Sequence, residues 1–371
     1  MAEAAIILAA GIAYVYLGYP LLIGLWARLR PRPLNLKNQP LPRLSLIVPC
    51  HNEAPSIAGR LRNVLEQEYP DDKIEVVVVD DGSTDGTAAA VQQGEVPGLR
   101  LLELPENLGK MEAINRAWTL TSGEIVVLTD ATARFEPGAL RELVQPFSDP
   151  EVGAVSGELI LAEEKHPEQV RVDAYWKMEK HIRRAESRVG SVIGATGAIW
   201  ALRRNLFIPL SPDTILDDVL LPLEAVRRGY RLVFASSARA RETLRTDPDL
   251  EFRRKVRTLA GNYQAFARAP WLFSPRYGLL LQVCSHKLGR LLIPFLLPPL
   301  FLACLLSPPP GPVAAGLQAF FYLLAAAGWL AGRRGRSPRI LSIPFTFCLL
   351  NLAALKAAAL YFLAPRRLRW N

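Results

Sequence analysis

The chain has 371 residues, of which 50% are hydrophobic and only 21% charged, with a formal net charge of +9. That apolar content excludes a disordered chain and a small disulfide scaffold. The positive balance does not read as nucleic-acid binding, because the arginines cluster beside apolar segments, a pattern that suits the anionic cytoplasmic face of a membrane.

The first predicted element, residues 1–27, is a transmembrane helix. Ala4–Trp26 is uncharged and meets the length of about 20 apolar residues that a hydrocarbon core of about 30 Å demands. Glu3, not a lysine or arginine, precedes this long stretch, so it reads as an anchor rather than a signal peptide. Residues 28–42 form a basic linker with Arg28, Arg30, Arg32 and Lys37; with Arg43 it places the next segment of the chain in the cytoplasm by the positive-inside rule.

A globular domain is expected over 43–268. Leu44–Val48, Ile74–Val79, Leu99–Leu104 and Ile125–Thr129 are short apolar runs, each followed by an amphipathic helical stretch. This βαβ rhythm predicts an α/β fold with a mostly parallel, Rossmann-like sheet, whose ligands bind at the carboxyl ends of the strands. Polar groups fall at those ends: Asn52 and Glu53 after the first strand, Asp80 and Asp81 after the second, Asp130 after the fourth.

Carboxylates there can accept hydrogen bonds from a uracil ring N–H or from ribose hydroxyls; the competing reading of Asp80–Thr87 is a helix cap and turn. Neither a GxGxxG fingerprint nor a Walker lysine motif is present, which disfavours NAD, FAD and P-loop chemistry. Lys110, at a predicted helix start, is a candidate phosphate contact. Asp130 is a candidate ligand for Mg²⁺ or Mn²⁺ bridging a diphosphate. His51, His166, His181 and His286 show no metal or triad spacing, and Cys50, Cys284, Cys304 and Cys348 show no CxxC pair.

The ordered set Val48-Pro49-Cys50-His51-Asn52-Glu53, Val79-Asp80-Asp81-Gly82-Ser83-Thr84-Asp85, Gly109-Lys110 with Asn115, and Asp130-Ala131-Thr132 resembles the family 2 glycosyltransferases. The resemblance covers about Arg43 to Arg268 and implies a nucleotide-sugar half at about 43–135 and an acceptor half at 136–268. It implies a GT-A fold and an inverting transfer from a nucleotide diphosphate sugar, expected to be a UDP-sugar. The flanking spans match membrane synthases of the cellulose, hyaluronan and poly-N-acetylglucosamine type.

On this resemblance Pro49, Asn52, Glu53, Asp80, Asp81, Lys110 and Asp130 bind the nucleotide sugar. Tyr175, Trp176, Glu179, Thr196, Gly197 and Arg254 line the acceptor side. Asp218 is the catalytic base, with Asp217 and Glu179 as runners-up, and Arg257 absorbs leaving-group charge. Two departures stand out. The DxD motif reads Asp130-Ala131-Thr132, leaving Asp130 as the one metal ligand it supplies. The QxxRW motif of processive members is replaced by Arg254-Lys255-Val256-Arg257-Thr258, so polymer extension is not implied. Two adjacent acids at a helix start are tolerable in the helix-dipole field, which is expected to lower the pKa of Asp218, while Asp217 is free to cap. Phe252, Val256, Leu259 and Tyr263 recur at helical spacing, so Arg254 and Arg257 also fit a basic amphipathic helix on the membrane surface.

Residues 269–290 are expected as interfacial helices, and 288–363 as about three spans. The spans are near Leu288–Leu306, Val313–Leu330 and Ile340–Leu363, with Ser307–Pro312 as a hairpin. Arg333, Arg334, Arg336 and Arg339 mark a cytoplasmic return. The basic tail 364–371, with Arg366, Arg367 and Arg369, favours the inside, whereas the span count favours the outside. The expectation is a multi-pass inner or plasma membrane enzyme with a cytoplasmic catalytic domain and a polysaccharide or lipid acceptor, as a homo-oligomer or with an accessory export partner. Single-sugar transfer to a lipid carrier such as polyprenyl phosphate is the alternative. A non-catalytic transport component, with Lys356 and Asn351 as its intramembrane polar residues, is a minor one.

Overall fold

A computed structural model describes residues 1–94, 96–162, 169–243, 248–333 and 338–364; the side chains of 162, 169–175, 248, 333 and 339 also fall outside the description. Tyr175, His166, Arg333, Arg334, Arg336, Arg339 and the arginines of the 364–371 tail therefore lie outside the described side chains.

The first half folds as its pattern dictates. Strands β1 (Leu44–Cys50), β2 (Ile74–Asp81), β3 (Leu99–Leu104) and β4 (Ile125–Leu128) pair in parallel in the order β3-β2-β1-β4. Every β1 position is buried, as expected of a strand covered on both faces. Side chains alternate between the two faces. Ile47, Val77 and Val79 enter one core with Met111 and Ile114 of helix Lys110–Trp118 and Leu221 and Leu223 of helix Asp217–Arg227. Leu46, Val48, Val76 and Val78 enter the other, with Ile57 and Leu61 of helix Ala54–Leu65. Each such side chain contributes about 1.5–3 kcal/mol over leaving it in water.

Beyond β4 the sheet continues through β7 (Trp200–Arg203), β6 (Val152–Ala162), β8 (Arg231–Thr243) and β5 (Arg134–Phe135). β7 is antiparallel to both neighbours, and β6 and β8 are parallel with register shifts at Val152/Ala154 and Ser156/Glu158. The result is the mostly parallel curled sheet of a GT-A fold.

Among the described residues, four helices are long and apolar enough to cross a membrane: Ala2–Leu29, Leu280–Leu305, Gly311–Gly332 and Ile340–Leu363. Within the expected interfacial segment, short turns at Pro270–Phe273 and Pro275–Tyr277 precede a helix that runs without a break from Leu280. Within that segment the polar residues His286 and Arg290 are held by the domain. His286 Nε2 lies 3.0 Å and Arg290 Nη1 2.6 Å from Glu179 Oε2.

Two contacts seat the domain on these helices. Tyr19, Ile23 and Ala27 pack against Ile182 and Ala185 of helix Gln169–Val189. Val256 and Ala260 of helix Pro248–Arg268 pack against Ala353 and Ala357 of the last span. Lys356 is part of that second contact: its Nζ lies 5.4 Å from the Phe252 ring centroid. A cation–π partner on a domain helix accounts for a lysine within an apolar helix.

Candidate active site

The carboxyl ends of β1, β2 and β3 are stitched together by their own polar residues. Asn52 has φ 55°; its amide donates to Ser83 Oγ at 2.8 Å and its Oδ1 accepts from Thr84 N at 2.9 Å. The Glu53 amide donates to Thr87 Oγ1 at 2.9 Å, and His51 Nδ1 lies 2.7 Å from the Asp81 carbonyl oxygen. Asp80 Oδ1 accepts from Ser83 N at 3.1 Å, which is the turn-capping role. The fully buried Asp81 holds the next loop, its two oxygens accepting from the Leu108 and Gly109 amides, each at 2.8 Å. Gly82, at φ +65°, is required where these loops meet: a Cβ there would stand 2.4 Å from the Glu106 carbonyl carbon.

That loop delivers Lys110 to the start of its helix and to a cluster of carboxylates. Lys110 Nζ donates to Asp130 Oδ1 at 2.9 Å and lies 3.6 Å from Asp217 Oδ2. Asp218 closes the group over Gly197, where a Cβ would sit 3.4 Å from Asp218 Oδ2, 3.6 Å from Asp130 Oδ2 and 3.8 Å from Lys110 Nζ. Burial opposes the Lys110 charge, but Asp130, Asp217 and Asp218 outweigh it and hold the ammonium above the ordinary lysine range. Burial likewise opposes the Asp130 charge, and Lys110, Arg254 and Arg257 overcome it, so this carboxyl stays below its usual range.

Asp218 goes the other way. Burial first, then the Asp217 charge beside it and Asp130, push its carboxyl up to about 6 against the relief that Lys110 gives. This corrects the expectation that the helix start would lower it: desolvation and two neighbouring carboxylates exceed a terminal dipole worth about 0.3–1 kcal/mol. Nor does Asp217 cap its helix. The helix begins at Asp217 with no side-chain cap bond, and Asp217 Oδ2 is buried without a hydrogen-bond partner.

Helix Pro248–Arg268 brings the cations. Burial, and then Arg254, pull the Arg257 guanidinium below its ordinary range, while the charges of Asp217, Asp130 and Asp218 act against that fall. Arg254 Nη1 lies 3.4 Å from Glu242 Oε1, which also accepts from Thr132 Oγ1 at 3.2 Å. Glu242 at the end of β8 thus ties the third residue of Asp130-Ala131-Thr132 to the arginine helix. Its second oxygen is buried without a hydrogen-bond partner.

Sequence reasoning missed Glu242, and it missed Arg183. Arg183 Nη2 donates to Ser156 Oγ at 2.7 Å and to the Gly194 carbonyl at 3.3 Å, and its Nη1 to Thr196 Oγ1. It fixes the loop whose Ala195 amide donates to the Asp218 carbonyl at 2.6 Å. Only the acidic end of an alternating strand marked Glu242, and no spacing marked Arg183.

The structure therefore brings together Lys110, Asp130, Gly197, Asp217, Asp218, Arg254 and Arg257. Thr196 is held by Arg183 and Ser156 beside them. Trp176 stands under Lys255, whose Nζ is 5.3 Å from its ring centroid. Glu179 faces the spans: burial opposes its charge, and His286 and Arg290 hold its carboxyl well below the usual range.

A parallel sheet with a lysine–carboxylate cluster at its carboxyl edge, between apolar spans, defines a membrane-associated GT-A protein, and the comparisons agree. The glycosyl transferase family 2 model matches residues 45–210, and this part of the chain is a glycosyl transferase family 2 domain. The chain is 27% identical over 280 residues to an N-acetylglucosaminyltransferase of Rhizobium leguminosarum bv. viciae, covering 70% of this chain and 65% of that protein. It is 26% identical over 197 residues to a poly-beta-1,6-N-acetyl-D-glucosamine synthase of Staphylococcus aureus strain COL, covering 52% and 47%. The chain thus spans less than two-thirds of the length of these curated relatives. Among solved structures it is similar to a mannosyltransferase from Pyrobaculum calidifontis in complex with GDP-Man and Mn²⁺. The TM-score is 0.73 and the identity 28%, over 97% of this chain and 99% of that one.

Proposed function

We propose that the protein is a membrane-embedded inverting glycosyltransferase, its domain on the cytoplasmic side, that moves a sugar from a nucleoside diphosphate donor to a polysaccharide or glycolipid acceptor. One observation carries this reading. Asp218, Asp130 and Lys110 converge on the space over Gly197, while Arg257 faces them from a helix packed on the last span. Inversion needs an acceptor hydroxyl attacking opposite the departing diphosphate. Asp218 takes the hydroxyl proton on its carboxylate; a carboxyl raised to about 6 is ionised at neutral pH and basic enough to hold that proton. Lys110, Arg254 and Arg257 meet the charge that grows on the diphosphate. Asn52 and Glu53 border the nucleoside end of the donor, and Thr196, Gly197 and Trp176 the acceptor end.

Among the described residues no three His, Cys, Asp or Glu side chains could hold a metal by themselves. Mg²⁺ and Mn²⁺ with nucleotides need no such cage, since one or two carboxylates plus the substrate phosphates suffice. Asp130 supplies one carboxylate, and the orphaned buried Asp217 Oδ2 beside Lys110 supplies the oxygen donor that a hard cation takes. The bound ion would neutralise diphosphate charge.

The donor is read in two ways. Curated relatives named for N-acetylglucosamine support a UDP-sugar. A likeness over nearly the whole length to a mannosyltransferase bound to GDP-Man supports a GDP-mannose donor, and the missing QxxRW motif supports a single transfer, for which a lipid carrier is the alternative acceptor. Purified protein offered UDP-N-acetylglucosamine and GDP-mannose separately, with and without polyprenyl phosphate, decides between them by nucleoside diphosphate release. Release from neither, with or without lipid and divalent ion, refutes the transferase reading.

A further inference from the structure

A second site lies where the domain meets the spans. Arg32, Arg227, Arg228, Arg231 and Arg276 line a cavity of about 490 Å³, and no acidic side chain lines it. Two arginines are balanced from outside the cavity: Arg32 lies 2.9 Å from Glu151 and Arg227 3.5 Å from Glu224. Arg231 is buried and donates to the backbone carbonyls of Arg32, Ser187 and Gly190, so it fixes the wall. Arg228 donates to the Leu206 carbonyl at 3.3 Å, and Arg276 rests near the Tyr277 ring. Neither has a carboxylate partner among the described residues, and both are exposed.

Glycines keep the space open. A Cβ at Gly190, Gly229 or Gly278 would meet nothing within 4 Å. Gly229 and Gly278 have positive φ, 90° and 67°, but Gly190 does not.

Position supplies the identity of the ligand. Arg32 lies just beyond the end of the first candidate span at Leu29, and Leu279 immediately precedes the second at Leu280. The cavity therefore lies beside the ends of two candidate membrane helices. Trp271 and Tyr277, in edge contact at 4.9 Å, sit beside it like the aromatic belt at a membrane interface. We infer that this cavity binds the phosphate headgroup of an anionic phospholipid, apart from the sugar-transfer site. Basic pockets beside transmembrane helices take such headgroups, and a zwitterionic headgroup would cancel much of the attraction.

The test is native mass spectrometry of the full chain in detergent, offered phosphatidylglycerol or phosphatidylcholine. The wild type should retain phosphatidylglycerol at least tenfold over phosphatidylcholine. Arg228→Gln with Arg276→Gln should lose one bound phosphatidylglycerol, at a cost in affinity of about thirtyfold for two arginines. Gly190→Glu, which places a carboxylate in open space, should lose the same lipid, with an unchanged melting temperature reporting an intact fold. Equal retention of the two lipids, or an unchanged number of bound phosphatidylglycerols in both folded variants, overturns the inference. Displacement of the lipid by millimolar inorganic phosphate overturns the lipid assignment and leaves a site for a free anion.

Discussion

Asp218→Asn should raise stability and abolish turnover in the same molecule. The ordinary carboxyl value of 3.8 rises to about 6 in the folded protein, so the charged form is held in the fold against burial and two neighbouring carboxylates. At about 1.4 kcal/mol per tenfold, that interval amounts to about 3 kcal/mol of destabilisation at neutral pH. The sign comes from linkage. A folded value above the unfolded one means that stability is fully present below pH 3.8 and is lost as pH rises through about 6. Asparagine keeps the shape without the charge, so the variant should melt higher than wild type at pH 7.5 and no higher at pH 4. Turnover, read as nucleoside diphosphate release, should fall by about 10²–10⁴-fold, the usual contribution of a general base. Wild-type kcat/KM should fall tenfold per pH unit below about 6, and the residual rate of the variant should lack that limb. A variant that turns over within a few-fold of wild type, or one that melts lower at neutral pH, refutes the assignment.

The same geometry sets three further outcomes. Lys110→Gln leaves Asp130 and Asp217 without their shared cation, so donor affinity measured by calorimetry should drop more than tenfold; unchanged affinity removes Lys110 from the diphosphate site. Asp81→Ala orphans the Leu108 amide at about 1–3 kcal/mol and leaves the Gly109 amide only Asn107 Oδ1, so melting temperature and donor affinity should fall together, with Asp81→Asn restoring part of both. A loss of affinity with no loss of stability would show that Asp81 contacts the nucleotide without anchoring the loop. Treatment with EDTA should stop nucleoside diphosphate release and added Mn²⁺ or Mg²⁺ should restore it; full turnover in EDTA counts against a metal held by Asp130 and the diphosphate.

Legible in the sequence were the features that neighbouring residues determine. The apolar runs place β1 to β4 and the polar groups at their ends close to where periodicity put them, with β1, β4 and most of β2 buried and β3 largely half-buried or exposed at the sheet edge. Hydrophobic length likewise announces spans. The rest depended on partners far along the chain. His286 and Arg290 alternate with leucines in a partly amphipathic pattern, and Glu179, 107 and 111 residues away, receives both. Asp218 was judged by its helix start, but its environment is set by Asp130 and Lys110 from other βα loops. Glu242 could not be connected to Asp130-Ala131-Thr132 without the pairing of β5 with β8, which brings Arg134 opposite Arg241.

The docking of helix Pro248–Arg268 gives the membrane a physical hold on the site. One face of this helix, with Val256 and Ala260, is packed on the last span, and Tyr263 stacks on Tyr361 with centroids 5.8 Å apart. Arg254 and Arg257 point from the same helix toward Glu242 and the carboxylate cluster. The two arginines proposed to meet the diphosphate are therefore carried by a helix whose other side is fixed to an apolar segment. A soluble domain cut away at residue 268 would keep every carboxylate of the cluster but lose the packing that seats its arginines. Removing the spans should then cost sugar transfer more than nucleotide binding, because Asn52, Glu53 and Asp81 are held by the sheet alone.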